Sequence, residues 1–151
     1  MMFNFYDKGV VLKKIFFTFF IFANFLFAQS IAIVKMAKGN PVVKRDDKTL
    51  NLKVGDELLN NDILITDANS KVGVIFDDGS SLTLGESSYL NIEEFKFKPI
   101  EEIYKFSLKL DKGKAMFESG KVSEISPESF EFKIPDGIIG IRGTKFIIEL
   151  K

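Results

Sequence analysis

The chain has 151 residues, enough for one ordinary domain, and it contains no cysteine, histidine or tryptophan. Disulfides and thiolate metal sites are therefore excluded, and the usual general base is missing. Three of the 21 basic and one of the 21 acidic residues lie within the first 28, so residues 29–151 hold 18 basic and 20 acidic residues. This near-neutral body has no field to attract phosphates, and we expect no nucleic acid partner.

The N-terminus carries an apolar segment, residues 15–28, directly after Lys13 and Lys14. A positive region, a short apolar run and a small residue before polar ones are typical of a secretory signal peptide. We predict a signal peptide over residues 1–28, cleavage after Ala28, and a periplasmic or otherwise exported domain over residues 29–151. The run is shorter than the roughly 20 residues of a spanning helix. If uncleaved, it would anchor the domain at the inner membrane, the one membrane contact that we expect.

The body, from Ile31 onward, shows the two-residue alternation of β-strands with frequent turn residues between them. The pattern predicts an all-β fold, either an antiparallel β-sandwich or a compact jelly-roll-like barrel of short strands. No helix longer than a single turn is predicted, and that turn would lie at residues 57–59. The side chains predicted to share the buried faces include Val72, Val74, Phe76, Leu82, Leu84, Leu90, Ile92, Phe95, Phe97, Tyr104, Phe106, Leu108, Leu110, Ala115, Phe117, Phe130, Phe132, Ile134, Phe146, Ile148 and Leu150.

Three local signals refine the strand boundaries. Asp78-Gly79 favours a tight hairpin, because Gly adopts positive φ freely and Asp tolerates it. The alternating apolar residues change from even to odd positions between Ile92 and Phe95, which predicts a bulge or a strand break at Glu93-Glu94. Residues 111–113, Asp-Lys-Gly, predict a turn between two strands.

Several segments of the body resemble, in order, the motifs of the FecR domain family, over a stretch from about Ile31 to Leu150. They are VGDEL at residues 54–58, VIFDDGSSLTL at 74–84, LDKGKA at 110–115, FKIP at 132–135 and IRGTKF at 141–146. The segment at 132–135 lacks the threonine of the family pattern. The family residues that these motifs carry over, expected to be structural, are Asp78, Gly79, Gly113, Arg142, Gly143 and Thr144.

The resemblance implies an exported, non-enzymatic interaction or signalling module of the bacterial cell envelope. Full-length FecR regulators place a cytoplasmic anti-sigma segment and a transmembrane helix before this domain. Because a signal peptide is predicted in their place here, we expect the module rather than the complete signalling circuit. We expect it to bind another, unidentified envelope protein, for instance by adding a strand to a sheet edge.

Arg142-Gly143-Thr144 is open to two interpretations. It could be a partner-binding loop, or a turn in which Thr144 bonds nearby amides and Arg142 pairs with a carboxylate. The sequence alone favours the turn. Asp77-Asp78-Gly79 lacks the spaced ligands of a calcium loop and is better explained as a hairpin.

The alternative to protein binding is a structural or glycan-binding envelope component. Six lysines at positions 96, 98, 105, 109, 112 and 114 could meet an anionic glycan or a lipid headgroup, although alternation with apolar residues favours an ordinary solvated sheet face. The acidic pairs Glu93-Glu94 and Glu101-Glu102 point to opposite faces of a strand and do not form an acid/base couple. We therefore predict no enzymatic activity and no cofactor.

Overall fold

A computed structural model describes residues 29–151, and the predicted signal peptide lies outside the described residues. Within this part, none of the helices is long or apolar enough to cross a membrane. One short helix, α1 (Lys121–Ile125), and two 3-10 turns (Pro99–Glu101 and Pro127–Ser129) interrupt the strands. The strands are β1 (Ala32–Lys38), β2 (Val42–Arg45), β3 (Lys48–Asn51), β4 (Glu57–Leu58), β5 (Ile63–Ile65), β6 (Lys71–Phe76), β7 (Ser81–Leu84), β8 (Tyr89–Lys98), β9 (Ile103–Glu118), β10 (Phe130–Ile134), β11 (Gly137–Ile139) and β12 (Lys145–Leu150).

The strands form one curled sheet with the order β3-β2-β5-β8-β9-β7-β6-β1-β4. Three further strands lie outside this order. β12 pairs antiparallel with β9, β10 pairs parallel with β9, and β11 pairs antiparallel with β10. All other pairs are antiparallel. The predicted all-β, predominantly antiparallel fold is confirmed.

Strand β9 belongs to both halves of the sheet. Its first half pairs with β8 and β10, and we call this half of the sheet layer 1. Its second half, from Gly113 onward, pairs with β7 and β12 in layer 2. Residues 111–113 were predicted to form a turn, and this prediction is wrong: they lie inside a continuous strand of 16 residues. Gly113, with a φ of 89°, lies where β9 passes from one layer to the other.

The core lies between the two layers and is rich in phenylalanine. Phe76 from layer 2 packs against Phe95 and Phe106 from layer 1, with ring centroids 5.3 and 4.6 Å apart. The alternation predicted for β6 to β10 is confirmed, since Val72, Val74, Phe76, Leu82, Leu84, Leu90, Ile92, Phe95, Phe106, Leu108, Leu110, Ala115, Phe117, Phe130 and Phe132 are all buried. Six other predicted side chains pack against this core but are only partly buried: Phe97, Tyr104, Ile134, Phe146, Ile148 and Leu150. Burial of each large apolar side chain is worth roughly 1.5–3 kcal/mol.

The bulge predicted at Glu93-Glu94 is confirmed, because the register between β8 and β9 shifts between Ile92 and Glu94. Two other details differ from the sequence analysis. Residues 57–58 form strand β4, which pairs with β1, and not a helical turn. Helix α1 was not predicted, because five residues with one buried apolar side chain, Val122, are too few to show a helical period.

Candidate interaction site

Asp78 is buried in the turn between β6 and β7, where its relative exposure is 2%. Its carboxylate accepts hydrogen bonds from the backbone N–H (3.0 Å) and the Oγ (2.8 Å) of Ser80 and from the backbone N–H of Val122 (3.1 Å). Its carbonyl accepts a further one from the N–H of Lys121 at 3.0 Å. Since Lys121 and Val122 begin α1, Asp78 fastens the start of this helix to the turn by satisfying its free N–H groups.

Gly79 closes the hairpin that Asp78 begins. Its N–H donates to the carbonyl of Phe76 at 2.9 Å, and the N–H of Phe76 donates to the carbonyl of Ser80 at 2.9 Å. Positive φ occurs at Gly79 (85°), while Asp78 is not left-handed. This is a three-residue loop with a type I turn and a glycine bulge. Within residues 29–151 no cluster of three or more acidic side chains could hold a metal ion, and Asp78 is occupied by protein donors.

Residues 119–121 connect this hairpin to the loop before β12. The N–H of Ser119 donates to the carbonyl of Thr144 at 3.0 Å, and the N–H of Gly120 donates to the Oγ of Ser80 at 2.8 Å. A Cβ on Gly120 would lie 2.4 Å from the backbone nitrogen of Ser80, so only glycine fits there. Two motifs far apart in sequence thus meet at one end of layer 2. We call this end, formed by residues 78–80, 119–121 and 142–144, the motif rim.

The outer part of the motif rim is Arg142-Gly143-Thr144, and all three residues are exposed. Among the residues that the structure describes, neither the Arg142 nor the Thr144 side chain has a hydrogen bond or an ion pair. The carboxylate partner expected for Arg142 is therefore not found within 29–151. Gly143 adopts a φ of 57°, and a Cβ there would have no atom within 4 Å. Within residues 29–151 the guanidinium is thus unpaired, and the loop that carries it is fixed to Ser119 through the carbonyl of Thr144.

Gly113 lies apart from the motif rim, against the loop between β7 and β8. A Cβ on Gly113 would be 2.3 Å from the Oγ and 2.5 Å from the Cα of Ser88. The Oγ of Ser88 accepts a hydrogen bond from the N–H of Lys114 at 2.9 Å, and Ser88 donates its own N–H to the Oγ1 of Thr66. The close approach and the positive φ both explain a glycine at this position.

Most of the lysines that suggested an anionic partner are matched by carboxylates. Five of the six, at positions 96, 98, 105, 109 and 114, have a carboxylate oxygen within 3.5 Å of the ammonium. On the outer surface of layer 1, Lys133 donates to Glu93 at 2.8 Å, and so does the hydroxyl of Ser107. The hydrogen bond from Lys133 is the largest cause of the lowered pKa of the Glu93 carboxyl. Burial opposes it, and the hydrogen bond from Ser107 and the charges of Lys133 and Lys109 add to the lowering. The surface therefore consists of paired charges rather than of a positive patch.

One ion pair with a buried carboxylate was not predicted from the sequence. Arg45 on β2 donates from Nε and Nη2 to the two carboxylate oxygens of Asp62, each at 2.7 Å, and the Asp62 side chain is completely buried. Hydrogen bonding to Asp62 raises the pKa of Arg45. The N–H of Leu59 also donates to Asp62, so the pair fastens the loop before β5 to β2. Nothing in the local sequence indicates this contact, because the partners are brought together by the pairing of β2 with β5.

Comparison with protein families gives one match. The model of the FecR protein family matches residues 62–151, which include the hairpin at Asp78-Gly79, Gly113 and Arg142-Gly143-Thr144, while the VGDEL segment at 54–58 lies before the matched part. No curated protein and no solved structure gives a significant match. FecR domains are envelope-associated signalling and regulatory modules, and the family is not known for enzymatic activity. Because the match covers more than half of the chain, this protein belongs to the FecR family.

Proposed function

We propose that this FecR domain is a non-enzymatic module that binds another envelope protein through the motif rim, with Arg142 as the principal contact. The observation that carries the proposal is the exposed guanidinium, which has no partner among residues 29–151, on a loop fixed to the buried Asp78 hairpin. Arginine is enriched among interface residues with large binding contributions, and its planar fork suits bidentate contact with a carboxylate. We therefore expect an acidic side chain on the partner opposite Arg142.

The attachment of the loop supports this role, because a preorganised loop loses less conformational freedom on binding. Thr144 is held through its carbonyl by Ser119, and residue 120 is held by Ser80. The arginine thus extends from an ordered base rather than from a free segment. The structural alternative for Arg142 would require an intramolecular carboxylate, and the described residues provide none.

Affinity capture from solubilised envelopes with the wild-type protein and an Arg142→Ala variant tests this proposal. We expect one or a few envelope proteins to be retained by the wild type, and their retention to fall at least about tenfold with Arg142→Ala, since a desolvated charge pair is worth about 2 kcal/mol or more. Lys48→Ala, which removes an exposed charge from β3, is the matched control and should retain them fully. Equal retention by wild type and Arg142→Ala would contradict the proposal.

A glycan-binding role has weaker support, because five of the six candidate lysines already have carboxylate neighbours. A sedimentation assay with anionic cell-wall polymer at low and high salt distinguishes the two functions. Salt-sensitive binding that Arg142→Ala leaves intact would favour the glycan. Absence of binding to the polymer agrees with a protein partner.

We further propose that the domain is periplasmic or otherwise exported, and that residues 1–28 direct its export. The apolar run after Lys13-Lys14 supports this proposal. N-terminal sequencing of the protein from the envelope fraction tests it. We expect the mature chain to begin at Gln29. Recovery of the intact precursor from the membrane would instead indicate a retained anchor.

A further inference from the structure

Strand β12 has a free edge in the part of the chain that the structure describes, where it pairs with β9 alone. The hydrogen bond from Ser119 N–H to the Thr144 carbonyl fixes the alternation along this strand. In an antiparallel ladder, every second residue directs its N–H and C=O groups to the neighbouring strand on one side, and the residues between direct theirs to the other side. Phe146 and Ile148 therefore direct theirs to β9, and Lys145, Ile147 and Glu149 direct theirs away. This edge is a template for another strand.

The same three residues point their side chains to the outer surface of layer 2, where Ile147 is 62% exposed. Ile147 ends a mostly apolar row that crosses five strands by direct pairing. From β1 to β12 the row contains Met36, Gly73, Thr83, Met116 and Ile147. Met36 is 40% exposed, and its side chain covers Gly73. A Cβ added to Gly73 would lie 3.3 Å from the Cβ of Met36. The row thus reaches the free edge with an uncovered isoleucine.

Charges of opposite sign stand on either side of Ile147. Lys145 lies opposite Glu118 of β9, with 3.4 Å between ammonium and carboxylate, and Glu149 lies opposite Lys114 at the same distance. Along β12 the outward-facing order is therefore positive, apolar, negative. A second strand with the same order, running antiparallel, would therefore place a negative charge opposite each positive one and an apolar residue opposite the apolar one.

We propose that β12 pairs antiparallel with β12 of a second copy of this chain, about a twofold axis at Ile147. Lys145 then faces the partner subunit's Glu149, and Ile147 faces the partner subunit's Ile147. Because these residues direct their backbone groups outward in both copies, the pairing makes about six backbone hydrogen bonds. On the outer surface, charges of alternating sign would extend across four strands, and the mostly apolar rows of the two copies would join at Ile147.

The register is specific to a second copy. A shift of the twofold axis to Ile148 would place Lys145 opposite the partner subunit's Lys151, and a shift to Phe146 would leave both charges without partners. Parallel pairing would set Lys145 beside the partner subunit's Lys145. Like charges directly opposite each other destabilise a strand pair, while opposite charges stabilise it. On the inner surface, the proposed register also brings Phe146 beside the partner subunit's Ile148, next to the Phe117 and Phe132 rings that Phe146 already contacts.

Because the chain has no native cysteine, a single introduced one can report the axis. Residues in a hydrogen-bonded antiparallel pair have Cα atoms about 5.5 Å apart, within the range that a disulfide bridges. We expect Ile147→Cys in the purified full-length protein to form a covalent dimer on mild oxidation. Ile138→Cys, at a site on β11 of similar exposure (64%), should remain monomeric. Equal cross-linking of both variants would contradict the proposal.

Reversing the charges of residues 145 and 149 distinguishes ion pairs between the two copies from ion pairs between β12 and β9 within one copy. Sedimentation velocity measures the dimer. Lys145→Glu should raise the dimer dissociation constant at least about tenfold, since two attractive pairs become repulsive. Adding Glu149→Lys should restore the dimer, although both changes break the pairs with β9. Three results would each overturn the second copy as occupant: a wild type that is monomeric throughout, dimers that resist Lys145→Glu, and a double variant that stays monomeric. Arg142 lies outside β12, so the motif-rim proposal is tested separately.

Discussion

Phe106 and Phe117 are eleven residues apart on the same strand, β9, and their ring centroids are 5.6 Å apart. A straight strand would separate them by about 36 Å. The strand must therefore bend between them, and it does so near Gly113, where it leaves β8 and joins β7 and β12. This bend lets one strand supply both layers of the core.

Removing the Phe106 ring should destabilise the whole domain. Phe106 is fully buried and packs against rings from β6, β8, β9 and β10. We expect Phe106→Ala to lower the free energy of unfolding by about 3–5 kcal/mol, through lost apolar burial and the cavity that remains. Urea denaturation measures the change. Ile100→Ala, at a 99% exposed position, is the control and should change stability by less than about 0.5 kcal/mol. Similar losses from both variants would contradict the described core.

Gly113 and Gly79 form a matched pair for testing the bend. Both have positive φ, but a Cβ at Gly79 would meet no atom within 4 Å, whereas one at Gly113 would overlap Ser88. We expect Gly79→Ala to cost about 1–2 kcal/mol, from backbone strain alone. Gly113→Ala should cost more, because the strand must also move away from Ser88. Thermal denaturation of the two variants gives the comparison, and an equal or reversed order would be inconsistent with this packing.

Asp78 should matter far more for stability than its neighbour Asp77. Asp78→Ala leaves the donors of Ser80 and Val122 without their acceptor, and we expect a loss of about 2–3 kcal/mol. The Asp77 carboxylate accepts no hydrogen bond among the described residues, and burial, together with the charges of Asp78 and Glu57, raises its pKa. Asp77→Ala should therefore be neutral or slightly stabilising at pH 7. Chemical denaturation of both variants distinguishes them, and a larger loss for Asp77→Ala would refute the role given to Asp78.

Glu93 makes a pH-dependent contribution to stability. Its pKa is lowered in the folded protein by Lys133 and Ser107, so its contribution is present above pH 4.5, the ordinary pKa of a glutamate, and is lost as the pH falls through the lower folded value. Lys133 stays charged throughout this range. We expect Glu93→Gln to be less stable than wild type by about 1 kcal/mol at pH 7, and this difference to shrink as the pH approaches 3. Denaturation curves at several pH values measure it. A difference that does not change with pH would rule out this contribution.

Alternation along the strands was sufficient to predict which side chains face the core, although those of β12 are only partly buried, and a parity change was sufficient to predict the bulge at Glu93-Glu94. These features are local, because each depends on whether neighbouring residues face the core or the solvent. The bend at Gly113 was not predicted. Asp-Lys-Gly is equally suitable for a turn and for a bend, and the difference depends on β7 and β12, which pair with β9 from distant positions in the sequence.

The candidate site was predicted as separate motifs and not as one surface. Asp78-Gly79 and Arg142-Gly143-Thr144 were recognised in the sequence, but their connection depends on hydrogen bonds from the backbone N–H groups of residues 119–121 to carbonyls and to the Ser80 hydroxyl, which are distant in sequence. The pairing expected for Arg142 also depended on unknown tertiary neighbours. The pair between Arg45 and the buried Asp62 was not predicted for the same reason, since charged residues are assumed to be exposed unless a partner is known.

The function assigned to the motif rim is tested most directly by site-specific photo-crosslinking in intact cells. A photoreactive amino acid would replace Thr144, the exposed rim residue two positions from Arg142, in one strain and Ile100, which is 99% exposed and outside the rim, in another, so that Arg142 is kept in both. We predict a covalent adduct with a second envelope protein at position 144 and none at position 100. Adducts of equal yield at both positions, or none at position 144, would contradict the account.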